Sequence, residues 1–182
     1  LLFDGEIKRN GCIYNNRNIS LIQKVKKHMK EIYNFPPKRY FNFFTGVSRI
    51  SYFNVALSIY IQGKSQELLA GICRFSKPLK REFLKAFFDD EGCMDFRSQQ
   101  NIRRVRGYQK NVRILKIIQS LLLDFGIDAS LWKPNEVVVS GEDNLRKFQK
   151  EINFSPGVRV NGERSNSIWK KSLEKREILP KI

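Results

Sequence analysis

The chain has 182 residues, enough for one medium domain or two small ones with a fused core. Its hydrophobic content of 41% and aromatic content of 12% exclude a disordered chain, and 34 Lys plus Arg against 18 Asp plus Glu give a formal charge of +16, which favours a polyanionic partner. Cys12, Cys73 and Cys93 form no C-x-x-C pair and His28 is the sole histidine, which argues against a zinc cluster and a multi-histidine nuclease site.

That sparse cysteine set suits a reducing compartment, so an intracellular location is expected: the cytoplasm or nucleoid of a prokaryote, or an organelle. No run approaches the roughly 18 apolar residues of a membrane span, and no charged-then-apolar leader is present, so neither a membrane partner nor secretion is expected.

In chain order, "LLFDGEI" opens the sequence and a polar, basic stretch follows. Ile19, Ile22, Val25 and Met29 then recur at helical spacing. "YFNVALSIYIQGKSQELLAGI" reads as an alternating strand, a turn at Gly63 and a helix. A helix is expected over residues 78–91, with Pro78 in its first turn and Gly92 in the left-handed position past its end. Its last two turns are apolar nearly all round, which predicts burial, and Ala86 is small enough for another backbone to approach. A longer basic stretch leads to a second amphipathic run with Ile114, Ile117, Leu121 and Leu122. "NEVVVSGEDNLRKFQKEINF" then repeats the strand, Gly turn and helix, with Gly141 matching Gly63.

The order of parts is therefore the same twice, and a duplicated helix, two strands, helix, two strands, helix unit accounts for both halves. The expected fold is α+β, with half-domains over 1–75 and 76–160, a join near Ser76 to Pro78, and a basic helical extension over 161–182. Residues 1–75 hold 12 basic and 4 acidic side chains and residues 76–182 hold 22 and 14, so the two halves carry equal net charge. A polyanion surface shared between them follows.

Asp89, Asp90 and Glu91 end the helix over 78–91, where the macrodipole favours cations by about 0.3–1 kcal/mol per charge. A divalent cation would reverse that preference, because it seeks carboxylate oxygens. "LLFDG" aligns with the end of "FFDDEG", so Asp4 matches Glu91 and Gly5 matches Gly92, 87 positions on. Asp89 and Asp90 have apolar partners, Leu2 and Phe3, and are read as supporting residues.

This pattern resembles the two-motif, single-chain LAGLIDADG homing endonucleases. Leu84 to Gly92 occupy the nine motif positions in the second copy, and Leu1 to Gly5 supply the last five in the first. The resemblance implies pseudo-symmetric half-domains with antiparallel sheets forming a saddle on DNA, and motif helices packed side by side. It implies that Asp4 and Glu91 are the catalytic, metal-binding pair, with Gly5 and Gly92 beside them at the metal site. Mg²⁺ or Mn²⁺ is the implied cofactor, with Ca²⁺ binding without cleavage. Both strands of a long DNA site would be cut in the two-metal manner, leaving short 3′ overhangs and promoting intron mobility.

Arg97, Gln99, Asn101, Arg103, Arg104, Arg106 and Gln109 mix guanine-reading and adenine-reading side chains, which suits base discrimination in a major groove. Lys8, Arg9, Arg17, Arg39 and Arg49 offer a thinner surface in the first half, and Lys170 and Lys171 extend it in the tail. Lys110, just before the second-half helix, is the candidate for electrostatic help or proton shuttling, with a phosphate-positioning role as the alternative. Its counterpart is Arg17, and that of Gln109 is Asn16. The expected protein is a monomer acting on double-stranded DNA, with intron RNA as a further partner. The rival functions are an RNA maturase and a non-catalytic DNA-binding protein on the same scaffold.

Overall fold

A computed structural model describes residues 2–160 and 173–181, and the chain divides into two compact units, Leu1–Ala70 and Gly71–Ile182. Lys170 and Lys171 lie outside the described residues.

The first unit contains β1 (Gly5–Lys8), β2 (Gly11–Asn16), α1 (Ile19–Tyr33), β3 (Lys38–Asn42), β4 (Val47–Tyr52) and α2 (Val55–Gly71). Its strands form one antiparallel sheet in the order β1-β2-β4-β3. Because paired residues share a face, Cys12 with Tyr52 and Tyr14 with Ile50 line the buried side, where Leu21, Ile22 and Met29 of α1 also point inward.

The second unit contains α3 (Lys77–Glu91), β5 (Gly92–Arg97), β6 (Ile102–Tyr108), α4 (Val112–Leu123), β7 (Ala129–Trp132), β8 (Glu136–Ser140) and α5 (Glu142–Glu151), followed by the short α6 (Lys175–Ile178). Its sheet order, β5-β6-β8-β7, repeats that of the first unit element for element. The α+β fold of two antiparallel four-stranded sheets with helices is therefore as expected. Met94, Val105 and Val139 share the covered face, against which Phe87 and Phe88 of α3 and Ile118 and Leu122 of α4 are buried. Phe88 stacks edge-on to Phe87 and to Phe148 of α5, with centroids 5.0 and 4.8 Å apart, and full burial of each such side chain contributes about 1.5–3 kcal/mol.

Three local expectations are corrected. Residues 55–71 form one helix, with no strand and no turn at Gly63. Asn54 starts it, its side chain accepting from the Leu57 amide at 2.9 Å, so Asn54 rather than Gly63 stands where Gly141 does. Alternation in "YFNVALSIYIQ" is equally a helix that is apolar all round, and the cap decides between them.

Gly92 is required, but for a different reason: its φ is −83°, extended rather than left-handed. A Cβ there would collide with the Phe88 carbonyl, because the chain turns from α3 directly into β5. Finally, α3 buries the stripe of Phe83, Leu84, Phe87 and Phe88 while leaving Glu82 and Ala86 exposed, so it is not covered all round.

Candidate functional site

Each candidate acid sits at the head of the first strand of its sheet. Asp4 immediately precedes Gly5 of β1, and Glu91 immediately precedes Gly92 of β5; both acids are half-buried. In the first unit Asn16, buried at the end of β2, donates from Nδ2 to Asp4 Oδ2 at 2.6 Å and to Tyr14 Oη at 3.3 Å. Its Oδ1 accepts from the Asn18 amide at 2.7 Å, so both ends of the amide are engaged and the Asp4 carboxylate has a fixed partner.

In the second unit, Gln109 occupies the equivalent place. Gly5 pairs with Tyr14 and Gly92 with Gly107, and Asn16 and Gln109 each follow by two residues. Gln109 Oε1 accepts from the Asn111 amide at 3.2 Å, repeating the bond of Asn16 to Asn18. Lys110 and its counterpart Arg17 follow, both exposed; Arg17 Nε donates to the Thr45 carbonyl at 2.9 Å.

Burial, and then the neighbouring Asp90 charge, raise the Glu91 carboxyl above its ordinary pKa. The backbone around it has a cation of its own. Lys175 of α6, buried with its ammonium 5.2 Å from the Phe154 ring centroid, donates to the Gly92 carbonyl at 2.6 Å and to the Asp89 carbonyl at 3.4 Å. It thus satisfies carbonyls left open at the end of α3 and complements the negative end of the helix dipole. Asp89 is buried and its Oδ1 accepts from the Ser155 amide at 2.8 Å, tying α3 to the loop after α5. That contact fits the supporting role read for Asp89.

The sheet faces opposite the cores carry most of the expected cationic residues. On the second sheet, Arg97 donates to Asp95 Oδ1 at 3.0 Å and Arg104 to Asp95 Oδ2 at 2.6 and 3.0 Å. Arg106 lies 3.4 Å from Asp95 Oδ2 and also pairs with Glu136. Arg104 further stacks on Trp132, 4.7 Å from the ring centroid. Burial acts to raise the Asp95 pKa, but the hydrogen bond and charge of Arg104 and the charge of Arg97 outweigh it, and the net shift is downward.

Gln99 and Asn101 are exposed at the β5–β6 turn, where Asn101 has φ 51°. Arg103 departs from the expected surface. It pairs with Phe96 and stacks on that ring, on the side of the sheet that carries the helices.

On the first sheet, Lys8 pairs with Glu6 at 3.3 Å, Arg9 lies in the β1–β2 turn, and Arg49 donates to Asn15 at 2.8 Å beside Tyr40. Arg39 pairs with buried Ile50 and therefore lies on the helix-bearing side, near Ile19 and Ile22 of α1. Among the described residues no cluster of three or more His, Cys, Asp or Glu side chains is poised for a metal.

An α+β unit with strand order 1-2-4-3, repeated once, and an acid at the head of each first strand define the LAGLIDADG fold. Residues 78–153 match the family model of the LAGLIDADG-like domain. The structure is similar to the homing endonuclease I-DmoI in complex with DNA and Mn, at 16% identity over 78% of this chain and 80% of that one, with a TM-score of 0.59. It is also similar to the N-terminal LAGLIDADG domain of DUF199/WhiA, at 14% identity over 81% and 74% of the two chains, TM-score 0.60. Full-length DUF199/WhiA from Thermatoga maritima matches at 14% identity over 85% of this chain and 52% of that one, TM-score 0.61. I-DmoI is also known in complex with DNA and Ca, and a variant of it with its target DNA in the presence of Mg. No curated protein matches the sequence.

Proposed function

We propose that the protein is a metal-dependent, site-specific endonuclease that cuts both strands of double-stranded DNA and acts inside the cell to promote intron mobility. The observation that carries this reading is the repetition of one acid, Asp4 or Glu91, at the same point of two units whose topology is otherwise the same. A fold duplicated for binding alone has no need of a half-buried carboxylate in both copies. The donor set suits Mg²⁺ or Mn²⁺: the candidate ligands are carboxylate oxygens, and the raised Glu91 pKa marks a cost of ionisation that a cation would offset. The metal would supply a water nucleophile at neutral pH and stabilise the leaving 3′ oxygen.

The chain's own residues do the rest. Asn16 orients Asp4, and Gln109 fixes the turn into α4 next to Lys110, which is exposed and able to meet a phosphate. Lys175 and Asp89 hold the end of α3 that presents Glu91. Arg49, Arg97, Arg104 and Arg106, oriented by their partners on the open sheet faces, bind the duplex.

A second reading is favoured by the likeness to DUF199/WhiA: DNA binding without cleavage on the same scaffold. Incubation with Mg²⁺ and duplex DNA spanning an uninterrupted insertion site separates the two. The nuclease reading expects wild-type protein to cut both strands and the Asp4→Asn/Glu91→Gln double variant to bind without cutting. Binding by wild type with no cleavage in Mg²⁺ or Mn²⁺ would establish the second reading instead.

A further inference from the structure

Among the described residues, the turn between β3 and β4 carries the two most exposed large hydrophobic side chains of the first unit. Phe43 is 86% exposed and Phe44 fully exposed at its tip, with Tyr40 and Phe41 exposed on the strand leading to it. Exposure here is built in by the turn's own bonds. Asn42 Oδ1 accepts from the Phe44 and Thr45 amides at 3.0 and 3.1 Å, and the Gly46 amide donates to the Asn42 carbonyl at 2.8 Å. Gly46 supplies the φ of 65° that the turn requires, and Arg17 braces it through Thr45. Two phenylalanines are thus held outward on a rigid support.

The surroundings select the occupant. No Asp or Glu occurs between Ile32 and Gln66, whereas Arg49 lies on the strand that leaves the tip and Arg17 touches it. A second copy of so basic a surface, or a basic protein, is disfavoured by like charge, and a polyanion is favoured. Asn16 pairs with Ser48 and Asn42 with Val47, so the tip lies at the same end of the sheet as Asp4, about 10–15 Å across two to three strand spacings. A narrow aromatic tip suits entry between base pairs better than a flat stacking platform does, and apolar wedges that enter base steps unstack and kink the duplex.

We infer that Phe43 and Phe44 form a wedge that enters a base step of the bound DNA duplex on the Asp4 side and kinks it there. This rests on the DNA-binding part of the function proposed above. Unstacking near the cut would make the duplex more deformable where the phosphate must be reached, and would favour flexible pyrimidine–purine steps without any base-edge contact.

The probe is a duplex recovered by wild-type protein from a randomised pool in Ca²⁺. It is tested for thymine reactivity to permanganate and for bending by gel mobility, with Phe43→Ala/Phe44→Ala and Phe43→Leu/Phe44→Leu variants alongside. Wild type is expected to create one hyper-reactive step and a bend. The alanine variant should lose both and bind roughly tenfold more weakly or worse, with an unchanged thermal midpoint, while leucine, itself a wedge residue, retains most of the effect.

The wedge is overturned if the alanine variant bends and binds the probe as wild type does, or if the wild-type complex shows neither unstacking nor a bend. A shift from dimer to monomer in the alanine variant, with DNA binding intact, would assign the tip to self-association and overturn it too. Failure to recover any duplex would instead sink the DNA reading on which the wedge depends.

Discussion

The two units share strand order and the place of their acid, yet they secure that acid by different means. In the first, a side chain reaches the carboxylate itself: Asn16 donates to Asp4 at 2.6 Å. In the second, support goes to the backbone behind Glu91, through Lys175 on the Gly92 and Asp89 carbonyls and Asp89 on the Ser155 amide. Their outer surfaces diverge as well. The second sheet locks its arginines with Asp95 and Glu136, whereas the β3–β4 turn of the first presents bare phenylalanines. A duplicated scaffold can keep the position of a carboxylate constant while the groups that hold it differ.

The largest effect that would break this contrast lies in activity. Asn16→Ala is expected to slow cleavage of the Asp4-dependent strand roughly 10–100-fold, the usual cost of losing a partner to a metal-binding carboxylate. Gln109→Ala, which removes an acceptor for a backbone amide, should slow the other strand less; equal losses in strand-resolved rates would erase the asymmetry.

Next in size is stability. Lys175→Met leaves the Gly92 carbonyl without its buried donor and should cost about 1–3 kcal/mol in denaturant unfolding. An unchanged midpoint would mean that α6 is dispensable to the end of α3.

The Asp95 cluster gives a pH signature. Because the folded-state pKa of Asp95 is depressed, its contribution is fully present above the ordinary aspartate range and is lost as pH falls through the depressed value. The gap in thermal midpoint between wild type and Asp95→Asn should therefore be widest near neutrality and close in acid. A gap that stays constant with pH would remove the ion pairs from the account.

Glu91 has the opposite sign and the smallest effect. Its raised folded-state pKa means that, without metal, stability declines as pH rises from the ordinary glutamate range through the raised value. Glu91→Gln should accordingly raise the metal-free midpoint at neutral pH and leave it unchanged in acid. A lowered midpoint at neutral pH would contradict the cost of ionisation that burial and Asp90 impose on this carboxylate.

Much of this architecture was legible because it repeats. The recurrence of "DG" and "EG" before a basic stretch and an amphipathic run was enough to anticipate two like units and the alignment of Asn16 with Gln109 and of Arg17 with Lys110. Residues 52–61 misled, since β-branched and aromatic residues in alternation also fill a helix that is apolar all round. In the sequence Gly92 reads as a left-handed helix terminator, whereas the steric demand from the Phe88 carbonyl that requires it leaves no trace in the local pattern.

No acid lies among the arginines from 97 to 106 along the chain, but Asp95, on the strand of Arg97, meets Arg104 and Arg106 across the β5–β6 pair, and Glu136 meets Arg106 from β8. Likewise Arg39 and Arg103 fall on the helix-bearing faces, because one residue of register decides the side. Nothing local singles out Lys175 among 34 basic residues; only the return of the tail beneath α3 does.

In the function proposed, each unit would supply one carboxylate to one strand of the cut. This is tested most directly by strand-resolved cleavage of a doubly end-labelled duplex in Mg²⁺ by wild type, Asp4→Asn and Glu91→Gln. Wild type is expected to cut both strands and each single variant to lose its own strand first, so that the two variants nick or stall on opposite strands. Full-rate cleavage of both strands by either variant would contradict it.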